Sequence, residues 1–454
     1  MSSVLASMPR LADHVAVRRH VVADAVVVAL HDEERDQVAT IGEREWALLS
    51  HADGTRTLDG IVAAAARAGR PVSRDNAETF FEQLASAGML VDGPSSPPAT
   101  AAEPRSLPVR GMPSFSLRCD GRGTCCRLYP TTVFSPAEVT TALHHEGGGV
   151  AEPDRFTPER GSERLPWRGR SVQVVDGRCH YLQGDGRCRL HAAGGPAAKP
   201  GGCRRYPAHL VSDGREVRVG VAPECACVFD SALEPYARSV PLTEAPLLDP
   251  WPRDSRELDG TVFVAELPPT VGIHDHDSMR RDRFVTWCDE RAEAFAVFDG
   301  DPARWLWARA EDLAGRTSSE GDAPPARGAV ERRRARLVQQ LERRASLGAW
   351  RSHDDLAFTL PRWLMLALDV PVEDLIGEPH RDAAETFFVR ALLFGHDPAL
   401  SAPTVVEALR RRAMQIWIAR RLAVVLVERD FGRDEPAAHR PLALVAGYAR
   451  AFAL

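Results

Sequence analysis

The sequence predicts an α+β protein in three parts, and three observations carry that expectation. Residues 12–92 show strand-like runs followed by helix-like ones. Eight of the nine cysteines fall between Cys119 and Cys227, in a stretch rich in glycine and turn residues. From about residue 240 onward the apolar positions recur with helical spacing. A chain of 454 residues also exceeds what one hydrophobic core usually serves.

Residues 12–92 read as a small winged-helix-like unit of three strands and three helices. Val15, Val17 and then Val21, Val22 and Ala25 to Val28 mark two strands, and Gln37 to Ile41 a third. The period then changes. Trp46, Leu48 and Leu49 fill a first helix, and a second starts near Thr57 with Leu58, Ile61 and Val62 apolar. A third runs from about Ser73 to Ala87, with Phe80, Phe81 and Leu84 on one face, and Gly88 to Val91 closes the unit. Residues 93–111 read as a linker, stiffened by Pro94, Pro97, Pro98, Pro104 and Pro108. Residues 112–235 form the cysteine-cluster region, loop-rich, with a strand at Val172 to Val175. It also holds a hairpin from Ala208 to Val211 and Glu216 to Val221, turned by Ser212-Asp213-Gly214.

Residues 236–454 read as all-helical, with helices over 277–297, 302–314, 328–346, 353–368, 381–395, 402–428 and 437–452. Arg332 to Arg336 is a charge run on one of them, read as a solvated face, with an anion site as the alternative. Cys288 has apolar neighbours at helical spacing and reads as core.

The apolar fraction of 44% and charged fraction of 26% suit a folded globular chain. A net charge of −6 argues against a nucleic-acid footprint spread over the whole chain. No run of 18 apolar residues occurs, and Met1 to Arg10 lacks an apolar stretch behind a basic start. Neither a membrane span nor a secretory leader is therefore expected, and the expected compartment is the cytoplasm. Clustered cysteines there serve as ligands more often than as disulfides.

Cys119, Cys125, Cys126, Cys179, Cys188, Cys203, Cys225 and Cys227 are the candidate metal ligands. Asp-Gly-Arg stands beside a cysteine three times, at 120–122, 176–178 and 185–187, and Asp-Gly favours tight turns that can aim thiols inward. No Cys-x-x-Cys pair occurs, so zinc-finger arithmetic fails. Cys125 and Cys126 are adjacent. In an extended chain their side chains would point to opposite sides, which suits two different metals. Eight thiols could complete two four-thiolate sets, as iron–sulfur clusters, zinc sites or one of each. His180 and His191, next to candidate ligands, read as hydrogen-bonding neighbours rather than ligands. A purely structural metal site is the plain alternative for the whole cluster.

Two resemblances extend this reading. Glu45-Trp46-Ala47-Leu48-Leu49, Asp53-Gly54-Thr55-Arg56-Thr57-Leu58 with Ile61, and Phe81-x-x-Leu84-x-x-x-Gly88-Met89-Leu90 resemble the PqqD-like family, which recognises ribosomally made precursor peptides. The resemblance implies that a leader peptide adds as a strand beside Val38, Ala39, Thr40 and Ile41, against the helix carrying Phe80 and Leu84. Acidic side chains at Glu43, Glu45, Glu78 and Glu82 weigh against DNA as the ligand.

Phe115-x-x-x-Cys119-Asp120-Gly121-Arg122-Gly123-Thr124-Cys125-Cys126 opens the second resemblance. Cys179-x-Tyr181-Leu182, Asp185-Gly186-Arg187-Cys188-Arg189-Leu190-His191, Cys203-Arg204-Arg205-Tyr206-Pro207 and Glu224-Cys225 complete it. The set resembles the YkgJ-type cysteine-cluster family of zinc- or iron-chelating proteins, which includes flagellin lysine N-methylases. Arg122 stands where that family often has a cysteine, so either the ligand set is smaller here or Cys227 supplies the missing thiolate. Thr386-Phe387-Phe388-Val389-Arg390 is similar to the methylases' late helical motif.

The resemblance implies an iron–sulfur cluster, 4Fe–4S, or zinc, together with S-adenosylmethionine. The expected function is modification of a captured precursor peptide or protein, lysine methylation being the family's chemistry. The alternatives are a metal-stapled scaffold that delivers the peptide to other peptide-maturation enzymes, and a metal or redox sensor. No general base or nucleophile stands out in the sequence.

Overall fold

The computed structural model describes residues 7–94, 106–117, 123–128, 132–159, 169–233, 240–241, 255, 264–315, 325–347, 356–428 and 441–452, save a few single positions within them. Within these the chain is α+β, with several small sheets and a helical C-terminal region.

The N-terminal unit begins with β1 (Pro9–Leu11), β2 (Val15–Val22), β3 (Ala25–Asp32) and β4 (Gln37–Ile41). β2 and β3 pair antiparallel from Val15↔Asp32 to Val22↔Ala25. The two turn residues, Ala23 and Asp24, have φ of 46° and 66°. Both central residues with positive φ make the two-residue turn whose twist matches that of the strands. Helices α1 (Glu43–Leu49), α2 (Leu58–Arg67) and α3 (Arg74–Ser86) follow. Thr57 and Ser73 cap α2 and α3 by accepting from Gly60 N and Asn76 N. β5 (Leu90–Asp92) returns to pair with β1. Trp46, Leu48, Leu30, Ile61 and Phe81 fill the core between sheet and helices.

β6 (Val109–Gly111) lies in the stretch expected to be linker, and it is a strand instead. Of the linker prolines, Pro97, Pro98 and Pro104 lie outside the described residues, whereas Pro108 O accepts from Val217 N at 2.8 Å. β7 (Ser116–Leu117), α4 (Cys125–Leu128), β8 (Val133–Phe134) and α5 (Pro136–His145) come next. Then follow β9 (Phe156–Pro158), β10 (Arg170–Val172), β11 (Val174–Val175), β12 (Arg178–Cys179), α6 (Arg189–Gly194) and α7 (Gly201–Arg205). The strand expected at Val172 to Val175 is thus two strands in two different sheets.

β11 pairs parallel with β2, Val174 opposite His20 and Val175 opposite Val21. One five-stranded sheet results, in the order β12-β11-β2-β3-β4. Further bonds hold the N-terminal unit to this middle segment. Trp46 Nε1 donates to Pro153 O at 2.8 Å, Thr157 Oγ1 to Val17 O at 3.2 Å, and Arg18 pairs with Glu159 at 2.9 Å. A small separate core of Phe134, Phe156, Val172, Tyr181 and Leu190 lies under these elements.

The expected hairpin is β13 (Ala208–Ser212) and β14 (Val217–Val221), turned at Asp213, whose carboxylate accepts from Arg215 N and Glu216 N. α8 (Ala226–Leu233), β15 (Val240–Pro241), β16 (Val264–Glu266) and the hairpin β17 (Thr270–His274) and β18 (Asp277–Arg280) follow. The region from 236 onward is therefore not all-helical. Helix α9 (Arg281–Ala296) starts four residues later than expected because Asp277–Arg280 is a strand. The remaining helices are α10 (Pro302–Leu313), α11 (Arg327–Leu347), α12 (Leu356–Leu368), α13 (Val372–Ile376), α14 (Ala383–Phe394), α15 (Val405–Glu428) and α16 (Pro441–Phe452). The sheet β16-β13-β14-β6 shares the large core of these helices. So does α8, with Cys225 and Cys227. The segment 112–235 is thereby divided between two cores.

Cys288 is fully buried in the large core, as its neighbours suggest. The arginine run is not simply solvated: Arg333 is 7% exposed and pairs with Glu407. Arg420 ties α15 to α10 and α14, reaching Asp301 at 2.8 Å and Glu385 at 2.6 Å. No helix among the described residues is long and apolar enough to cross a membrane.

His396, after α14, has φ of 53° and is 0% exposed. Its ring lies 6.0 Å from that of Phe284, and neither ring nitrogen has a hydrogen-bond partner among the described residues. Burial, then the charge of Arg218, pulls its pKa down to about 4 from 6.5. The unfolded chain takes up this proton near pH 6.5, whereas the folded chain refuses it until about pH 4. The stability tied to His396 is therefore full above pH 6.5 and is lost as pH falls toward 4, by roughly 3 kcal/mol. Urea unfolding from pH 7 to 4 should show this loss, and His396→Asn, which tolerates positive φ without titrating, should flatten it.

Candidate metal and peptide sites

Four of the candidate ligands lie on short elements of the middle segment, and two of them, Cys179 and Cys188, pack against the small core. Cys125 lies on α4, Cys179 ends β12, Cys188 is the residue before α6, and Cys203 lies in α7. Burial pushes the Cys179 thiol up to about 12, and Cys203, Cys188 and Cys125 add to the rise. Burial pushes the Cys203 thiol up to about 12 as well; Lys199 opposes that, while Cys125 and Cys188 add to it.

Glycines make the approach possible. Gly123 has φ of 71°, and a Cβ there would meet Gly186 O at 2.7 Å and Leu182 Cδ1 at 2.5 Å. The segment before Cys125 is thereby pressed onto the Asp185-Gly186 turn before Cys188. In that turn Gly186 has φ of 84° and Asp185 accepts from Arg187 N at 3.0 Å. Gly202, next to Cys203, closes on Thr132, where a Cβ would meet Oγ1 at 2.6 Å. Glu138 caps α5 through Ser135 N and also accepts from Gly201 N at 2.7 Å, holding the start of α7.

The set is not a closed ligand shell. Among the described residues no group of three or more His, Cys, Asp or Glu side chains is placed to hold a metal ion. The chemistry of the donors does fit a thiophilic ion, since bound cations favour thiolates over thiols and offset their mutual repulsion. Cys126 follows Cys125 on one turn of helix, Cys126 N donating to Gly123 O at 2.9 Å. The two thiols are therefore about 100° apart round a helix, not on opposite faces of an extended chain. Cys119 and Arg122 lie outside the described residues.

Cys225 and Cys227 are 7% exposed and sit in the large core instead. Helix α8 packs there on β7, the strand just before Cys119, and on α14. Phe115 and Phe387 rings are 5.1 Å apart, and Phe229 is 6.4 Å from both Phe387 and Phe388. The late motif thus packs against the segment that opens the cysteine motif.

Beside the four thiols runs a polar chain that the sequence reading missed. His180 Nδ1 lies 3.2 Å from Gln173 Nε2, and its Nε2 lies 3.1 Å from Glu146 Oε1 and 3.0 Å from Arg189. Gln173 Oε1 accepts from Arg19 of β2 at 3.0 Å, and Arg19 also reaches Glu43 of α1 at 2.9 Å. Burial would raise the Glu146 carboxyl, but Tyr181, His180 and Arg155 outweigh it and hold it below the usual carboxylate range. Burial lowers His180 despite Glu146. His180, next to Cys179 in the chain, takes Gln173, Glu146 and Arg189 as its hydrogen-bond partners. Glu146 carried no signal beyond its place before three glycines.

At the other end of the five-stranded sheet, β4 is an edge strand. Thr40 is exposed, and Val38, Ala39 and Ile41 are half-buried. Arg35, in the turn before β4, donates to Ala87 O at the end of α3 at 3.3 Å. Phe80 is half-buried and its ring meets Phe81 edge-on at 5.5 Å. Leu84 is 5% exposed and belongs to the core, so it lines no surface pocket.

Comparison with protein-family models, curated proteins and solved structures returns no match for this chain.

Gly123→Ala adds a methyl group against a backbone carbonyl at positive φ, yet removes no ligand. If Cys125 is a ligand, Gly123→Ala and Cys125→Ser should both lower bound metal, read by elemental analysis of the purified full-length protein. Full metal content in both variants would exclude Cys125 and its segment from the site.

Proposed function

We propose that this protein is a metal-cluster protein acting on a polypeptide captured along β4. The observation that carries the reading is the sheet itself. Its free edge is β4 and its opposite edge is β12, which bears Cys179. A peptide added beside β4 would gain main-chain bonds from the edge and selectivity from neighbouring side chains such as Phe80. It would then lie on the sheet whose far edge carries Cys179, with Cys125, Cys188 and Cys203 on the short helical elements beyond that edge. Those four are the residues that would hold an iron–sulfur cluster or zinc. Zinc would supply Lewis-acid chemistry when bound, and an iron–sulfur cluster would supply electron transfer. Lysine methylation is the specific reaction proposed, on the sequence resemblance. S-adenosylmethionine would then be the methyl donor.

A second reading, a non-catalytic scaffold that presents the peptide to a partner enzyme, is favoured by the small core under the thiols. That core has eight buried apolar residues among those described. A unit of this size needs a staple, and metal ligation would supply one.

Anaerobic purification separates the metals: a brown protein with broad visible absorbance is expected, whereas a colourless protein with stoichiometric zinc removes the cluster from the proposal. Hydrogen exchange tests the edge. Precursor peptides encoded beside the gene should slow exchange at alternate amides of Gln37 to Ile41, and unchanged exchange with a bound peptide would place recognition elsewhere.

A further inference from the structure

Helices α11, α12, α15 and α16 leave an apolar cleft of about 460 Å³, counting the part open to solvent. Leu341, Leu368, Met414 and Val445 contribute to its walls, and the guanidinium side chains of Arg333 and Arg411 join the lining. Both arginines bond one carboxylate. Arg333 donates to Glu407 Oε2 at 2.9 Å, and Arg411 Nε donates to Glu407 Oε1 at 3.1 Å. The neighbouring arginines each have an acid of their own: Arg410 pairs with Glu311 at 2.7 Å and Arg412 with Asp397 at 2.6 Å.

Two cations on one anion leave an excess positive charge against an apolar wall. Such a charge is costly unless an anion complements it. The guanidinium fork matches carboxylate and phosphate oxygens. A dry, leucine-rich cleft matches an alkyl chain. The β4 edge is not a continuation of this cleft. Leu341 lines the cleft, whereas Arg343, about 200° further round α11, donates to Arg35 O of the N-terminal unit.

We propose that the cleft binds a single-chain amphiphile with one anionic head, its alkyl chain between α11, α12, α15 and α16 and its head on Arg411 and Arg333. This inference is independent of the thiol set and of peptide capture.

Isothermal titration of the full-length protein tests it, with octanoate, decanoate and dodecanoate below their micelle concentrations. Saturable binding is expected, tightening about fourfold per methylene. Decyl phosphate against decanoate distinguishes the two head groups, and decyltrimethylammonium should bind at least about tenfold more weakly than either. Arg411→Gln should weaken decanoate about tenfold and leave decanol unchanged. Ala449→Trp and, separately, Leu337→Trp fill the cleft and should abolish binding in whichever variant folds. No saturable binding, equal affinity for the cationic and anionic chains, or undiminished binding in a folded cleft-filling variant would overturn the proposal.

Discussion

Four residues of parallel pairing, His20 and Val21 against Val174 and Val175, decide how this protein is built. Without them β2 would be an edge and the N-terminal unit a module on a tether. With them its three-stranded meander becomes one side of a larger, five-stranded sheet. The bonds from Trp46 to Pro153 and from Arg19 to Gln173 depend on that docking. The pairing also covers one edge of the meander and leaves the other, β4, open. An open edge presents unpaired backbone groups to any extended chain. Gln37 and Thr40, both polar and exposed, keep it from being a sticky apolar strip.

The thiols show what separates clustering in sequence from clustering in space. Cys125, Cys179, Cys188 and Cys203 come from four short elements that have little reason to meet on hydrophobic grounds. Gly123 and Gly202 let backbones approach where any side chain would collide. Glu138 and Glu146 satisfy polar groups that the approach buries. Cys225 and Cys227, only a short way along the chain, are drawn into the large helical core because Val228 and Phe229 are. Apolar neighbours, more than cysteine spacing, settle which core a thiol joins.

Much of this was legible in the residues, and the rest was not for identifiable reasons. The N-terminal strands and helices were readable because each is long enough to show its period, and Thr57 and Ser73 announce their helices. Seven C-terminal helices were readable on the same ground. β11 and β12 were not separable from their surroundings: two residues have no period, and the pairing of β11 with β2 spans some 150 positions of chain. Asp277–Arg280 has no apolar alternation because its hairpin is largely exposed, so it read as the start of α9. Val109–Gly111 was hidden by the prolines before it. The burial of Arg333 was hidden by its neighbours, since one inward arginine among several looks like a charged face. Leu84 lay on the expected helix face, but the sequence could not say that this face is spent on the core.

The five-stranded sheet also acts as a ruler. A strand laid beside β4 would lie five strand spacings from β12, about 24 Å. An extended chain needs about seven residues to cover that span. The rigid sheet cannot shorten the gap as a flexible tether could. Any polypeptide held at one edge and reaching the thiols at the other therefore carries a minimum spacer, written into its own length rather than into its sequence. Reach, more than local residue preference, would decide which of its side chains arrives.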